Sequence, residues 1–223
     1  MNPLRALGAA TLAWAAAALL LAAAPACALP EAADAGSFDD YVLALSWSPT
    51  FCASHPGDYP ECSQRRGFVV HGLWPHYAGG GGPEHCGTTE VLDPDTVERA
   101  KAAMPDERLI HHEWVVHGSC SGLSPRDYFI TLIRAVARPS IPSEFDGSRP
   151  RRLTAPQIVA AFVKENPSMS PRSLALRCTG DELEEVRICL SRDLHPQPCG
   201  RDVRSRCPAG PLRIGATRPP PPG

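Results

Sequence analysis

Lysine is nearly missing from this 223-residue chain, which holds only Lys101 and Lys164. Lys plus Arg number 22 against 24 Asp plus Glu, a formal charge of -2, so the chain has no cationic excess. That balance excludes a protein that coats nucleic acid through bulk charge. No Cys-x-x-Cys pair occurs, which excludes the usual zinc ribbon or knuckle. The run Gly79 to Gly82 is followed by no Gly-Lys-Ser or Gly-Lys-Thr, so it is not a phosphate-binding loop. After the first 28 residues no apolar stretch approaches the roughly 18 to 20 residues that span a bilayer, which excludes a polytopic membrane protein. No internal repeat is visible.

The first 28 residues read as a removable export signal. Arg5 precedes the apolar run Ala9 to Leu21, and Ala26-Cys27-Ala28 fits a small-x-small cleavage site. A lipid anchor on Cys27 is disfavoured, because Ala24-Pro25-Ala26 lacks the large aliphatic residue of such sites. Removing residues 1–28 leaves about 195 residues, enough for one domain with its own core. It also takes away Arg5 and Cys27. Eight cysteines remain: Cys52, Cys62, Cys86, Cys120, Cys178, Cys189, Cys199 and Cys207. An even number in an exported chain implies disulfides in an oxidising compartment, although eight allow about a hundred pairings. The expected destination is the periplasm or the outside medium. One domain is expected over residues 29–215, with an extended, mobile, proline-rich end over 216–223.

Strand and helix signals are mixed. Tyr41 to Trp47 and Gly67 to Leu73 are short β-forming apolar runs, as are Ser173 to Cys178 and Leu183 to Leu190. Helices are expected over Pro94 to Met104 and Arg108 to His117. Two more follow the starts Ser124-Pro125-Arg126-Asp127 and Thr154-Ala155-Pro156-Gln157, running to Val136 and Glu165. Ser54 to Arg66, Ala78 to Gly87 and Pro139 to Arg152 read as loops. Strands and helices do not alternate strictly. The fold class is therefore α+β: a mostly antiparallel central sheet packed with several helices and stapled by disulfides.

Histidine placement carries the chemistry. Three of eight lie in two short segments, His71-Gly72-Leu73-Trp74-Pro75 and His112-Glu113-Trp114-Val115-Val116-His117-Gly118-Ser119-Cys120. On a helix the second presents His112, Glu113, Val116 and His117 as one patch, with Gly118 ending it. It is not the zinc motif H-E-x-x-H, whose histidines are four apart; here they are five apart, about 140° around the helix. No metal or other cofactor is expected. Two imidazoles instead suit a reaction that takes a proton from one oxygen and delivers one to another. Cleavage of RNA by its own 2′-hydroxyl is such a reaction, and its anionic transition state needs nearby donors.

These two segments, in order and about 40 residues apart, resemble the active-site segments of the ribonuclease T2 family. FDDYVLALSWSPTFC, GFVVHGLWPHY, SGLSPRDYF and EVRICLSRDL extend the similarity over Phe38 to Cys207. The resemblance implies a secreted, metal-independent endoribonuclease. It would act on single-stranded RNA with low base specificity, through 2′,3′-cyclic phosphates to 3′-phosphates. With no obvious oligomer interface in the sequence, a monomer is expected. It implies His71 and His117 as the acid–base pair; His117 as base and His71 as acid is favoured, and the reverse stays open. Glu113 would stabilise the transition state, and His112 would contact the scissile phosphate. Trp74, His76 and Tyr77 would meet a base, although Trp74 and Tyr77 fit packing equally well. The implied disulfides are Cys52–Cys62, Cys86–Cys120, Cys178–Cys207 and Cys189–Cys199. Two positions depart from the pattern. Val116 stands where many members carry Lys, which implies a handicap at the phosphate. His76 stands where fungal members read the base with Asp. The alternative is a catalytically weak relative that binds RNA or signals.

Overall fold

The computed structural model describes residues 35–217 apart from 65, 88, 89 and 148. The expected leader, and residues 218–223 of the expected tail, lie outside the described residues. Among the described residues no helix is long and apolar enough to cross a membrane.

Six strands form one sheet: β1 (Asp40–Trp47), β2 (Phe68–His76), β3 (Arg151–Leu153), β4 (Leu174–Thr179), β5 (Glu182–Ser191) and β6 (Leu212–Ile214). Their order is β2-β1-β5-β6-β3, with β4 also paired to β5. Every ladder is antiparallel except the short β5–β6 contact. The helices are α1 (Ser48–Ser54), α2 (Pro60–Ser63), α3 (Pro94–Ala100), α4 (Glu107–Val116), α5 (Pro125–Val136) and α6 (Ala155–Glu165). The fold is thus α+β, as the mixed pattern implied.

The apolar run of β1 is explained by burial on both faces. Tyr41, Leu43, Leu45 and Trp47 point into the main core, with Ile110 and Trp114 of α4, Tyr128, Phe129 and Leu132 of α5 and Phe162 of α6. Val42, between them, joins a smaller cluster with Ala175, Cys189 and Val203 on the opposite face. Helix starts follow the expected capping chemistry. Ser124 accepts from the Asp127 amide, and Thr154 with Gln157 forms a reciprocal capping box.

Several boundaries differ from the sequence reading. β2 runs through His76, so the HGLWP segment lies inside the strand and not at its end. The helix expected to Met104 stops at Ala100. The segments Ser54 to Arg66 and Pro139 to Arg152 hold α2 and β3, and α1 and β6 were not anticipated. These elements are three to seven residues long. Pieces that short carry too little periodicity to register in sequence.

Four disulfides join Cys52 to Cys62, Cys86 to Cys120, Cys178 to Cys207 and Cys189 to Cys199. The first ties α1 to α2. The second anchors the 3-10 turn Gly118–Ser121 that follows α4.

Candidate active site

The site is built around an interruption in β2. Pairing with β1 runs regularly from Asp40↔His76 to Ala44↔Gly72, then jumps to Leu45↔Val70. His71 is therefore the extra residue of a β-bulge. Strict alternation cannot place both Val70 and Leu73 in the main core, because they are three apart; the bulge allows it. A second register jump, from Arg177↔Glu185 to Cys178↔Leu183, makes Glu184 the extra residue on β5.

Beyond the bulges, one face of the sheet carries Gly72 and Trp74 on β2, Val42 and Ala44 on β1, and Glu185 and Arg187 on β5. Small residues in the central row leave room above the sheet. Gly72 is the tightest point. A methyl group there would collide with the Glu113 carboxylate and the Trp74 indole nitrogen. The glycine of HGLWP thus permits one contact, the 2.8 Å hydrogen bond that Trp74 Nε1 donates to Glu113 Oε2. Gly118 has a similar part after α4, where a Cβ would strike the rings of Trp114 and Tyr128.

His71 and His117 flank Trp74. The His71 ring stands edge-on to the indole with centroids 5.2 Å apart, and the His117 ring lies tilted at 5.4 Å. His71 donates from Nδ1 to Glu185 Oε2 at 2.9 Å, which leaves Nε2 turned toward Glu113 Oε1 at 3.8 Å. Glu185 also accepts from Arg187 Nε at 2.6 Å, and the Arg187 guanidinium lies 4.8 Å from the Trp74 ring centroid. Glu185, Arg187 and the bulge were missed in the sequence reading. The available signal was a Glu and an Arg two residues apart, and so on one face, inside the strand run Leu183 to Leu190.

The environment splits the titratable groups. Burial drives the Glu113 carboxyl up to about 7, against the opposing pull of His71 and the Trp74 hydrogen bond. Burial and then the charges of His112, His71 and His85 drive His117 down to about 4. Burial alone would lower His71, but the hydrogen bond to Glu185 and the charges of Glu185 and Glu113 outweigh it, and His71 is raised. Glu185→Gln removes both contributions of that carboxylate. The alkaline limb of the pH–rate profile should therefore move to lower pH; a limb that stays in place would show that Glu185 does not set the protonation of His71.

Two clefts meet at Arg187. A larger one of about 570 Å³ is lined by His71, His112, Glu185 and Arg187. The other, about 330 Å³, is lined by Trp74, His117 and Arg187, and bordered by Gly81 and Gly82. His76 reaches the second cleft, but its ring is buried between Asp40 Oδ1 at 2.9 Å and Asp202 at 3.2 Å. Tyr77 packs against the main core and lines neither cleft. Val116 is buried and also lines neither, so it stands apart from the patch expected on the helix. The physical reason is that its apolar side chain is buried at the last residue of α4, away from water. Among the described residues no group of three His, Cys, Asp or Glu is arranged to hold a metal ion.

Comparison with known proteins identifies the family. A ribonuclease from Aeromonas hydrophila is 35% identical over 176 residues, covering 72% of this chain and 75% of that protein. Ribonuclease T2 of Sus scrofa is 26% identical over 209 residues, covering 77% and 94%. The structure of ribonuclease MC1 from bitter gourd seeds shares the fold, with a TM-score of 0.63 at 23% identity over 77% of this chain and 98% of that one. The model of the Ribonuclease T2 family matches residues 38–199, and the chain belongs to that family.

Proposed function

We propose that the chain is a secreted, metal-independent endoribonuclease. It cleaves single-stranded RNA by transphosphorylation, through a 2′,3′-cyclic phosphate to a 3′-phosphate, with low overall base specificity. The observation that carries this reading is a pair of imidazoles on either side of Trp74, one raised and one lowered in proton affinity.

That split divides the roles. His117, neutral above about 4, is the base that takes the proton of the 2′-hydroxyl. The freed oxygen attacks the adjacent phosphorus, and the 5′ oxygen leaves with the proton held on His71 Nε2. In the second step the roles reverse. His71 takes a proton from water, and His117 returns one to the 2′ oxygen. Glu113, protonated below about 7, donates to a phosphoryl oxygen, and His112 meets the phosphate from the rim of the larger cleft. Arg187, shared by both clefts, supplies the fixed positive charge that Val116 cannot. Trp74 offers the base of the 5′ nucleoside a wall of the smaller cleft, with His76 held behind it.

Residues 1–28 fit the same reading as an export signal, and four disulfides suit an oxidising compartment. The test is an RNA digest in EDTA with product ends mapped. Cleavage should persist, cyclic ends should precede 3′-phosphates, and DNA should stay intact because it lacks the 2′-hydroxyl. Loss of cleavage with chelator, or 3′-hydroxyl ends, would overturn the proposal.

A further inference from the structure

The larger cleft holds a carboxylate that the chemistry above does not use. Glu61 lines it and is only 4% exposed. The backbone carbonyl of Glu61 accepts from the Arg66 amide, but among the described residues no hydrogen bond or ion pair engages its carboxylate, whose oxygens are not among the sealed, unsatisfied atoms of the interior. A buried carboxylate without donors is costly unless something outside the chain supplies them. Burial, and then the neighbouring Asp106 carboxylate, push its proton affinity up, as expected for a carboxylate lacking donors. Its position is fixed, because α2 is tied to α1 through Cys52–Cys62.

Aromatic groups stand beside it. Phe51 and His55 are stacked at 4.3 Å and 14°, and Tyr59 meets Phe51 edge-on at 5.0 Å. All three line the same cleft, whose volume of about 570 Å³ accommodates a nucleoside. The cleft also contains His71, the group assigned to the departing 5′ oxygen, so the nucleoside that fits here lies 3′ of the scissile phosphate.

We infer that Glu61 is a specificity-determining residue: it selects, on the 3′ side of the cleavage point, a base that carries an exocyclic amino group. This inference rests on the ribonuclease reading for the orientation of the substrate. An ionised carboxylate only accepts. Guanine presents two adjacent donors, its ring N–H and its amino group, to the two oxygens. Adenine and cytosine present an amino group. Uracil presents one N–H flanked by two carbonyl oxygens, which the carboxylate repels.

The test is calorimetric binding of 5′-GMP and 5′-UMP to the wild-type chain, to Glu61→Gln and to Glu61→Ala, with cleavage of UpG and UpU measured in parallel. Wild type should bind GMP about tenfold more tightly than UMP, and both variants should bring that ratio close to one. The Gln variant keeps the side-chain volume, so the comparison survives if the Ala variant misfolds. Equal binding of the two nucleotides by wild type, or a ratio unchanged in Glu61→Gln, would overturn the inference. If the ratio behaves as expected while neither dinucleotide is cut, Glu61 still selects the base and the ribonuclease reading fails. If both are cut at equal rates and both nucleotides bind equally, the ribonuclease reading stands and the role of Glu61 falls.

Discussion

Replacing either His71 or His117 by Phe should lower the rate of RNA cleavage by about 10²- to 10⁴-fold, the scale expected when a positioned acid or base is lost. Phe keeps a flat aromatic ring beside Trp74 while removing the titrating nitrogens, so circular dichroism should show an intact fold. The wild-type profile should be a broad bell, and its sign follows from the two environments. The base must be unprotonated, and His117 is held down at about 4, so activity falls as pH drops through that value. The acid must be protonated, and His71 is held above the ordinary imidazole value of 6.5, so activity falls only on the alkaline side of it. An acid limb close to neutrality would reverse the assignment and make His71 the base.

Gly72→Ala should be the most damaging change that removes no functional group. The added methyl group has no space, because Glu113 and the Trp74 nitrogen already fill the volume over Gly72. Glu113 must move off the indole and lose its hydrogen bond, or β2 must shift against β1 at the bulge that aims His71. We expect turnover to fall about 100-fold, comparable to a misplacement near 1 Å. Stability should fall by about 1–3 kcal/mol, the usual cost of overpacking. A Gly210→Ala change, where a methyl group meets nothing within 4 Å and φ, as at Gly72, is not positive, controls for the general cost of substituting a glycine. Turnover near wild type in Gly72→Ala would show that the Glu113–Trp74 contact does not matter to catalysis.

Much of the frame was legible in sequence. β1, β2, β4 and β5 follow apolar runs, and α5 and α6 follow Ser-Pro and Thr-x-Pro starts whose caps form as expected. Trp47 and Trp114 lie in the core. The site was legible in part. His71, Glu113 and His117 meet at Trp74, and His112 lies on the rim. Glu185 and Arg187 were hidden because their partners are remote in the chain. The His71–Glu185 contact spans 114 positions. His76 could not be read from its neighbours either, since Asp40 and Asp202 come from different parts of the chain.

Sequence alone was sufficient for what depends on local pattern: residue types, their spacing, strand and helix signals, and the pair of histidine segments that placed the chain among similar proteins. Only the tertiary structure decided which way each ring faces and which charge stands beside it. A single extra residue in β2 turns His71 onto the face of Glu185 and away from the helical core. The opposite proton affinities of the two histidines then arise from burial and from carboxylates and imidazoles brought close by the fold. Those energies depend on distances across the molecule, which no stretch of neighbouring residues encodes.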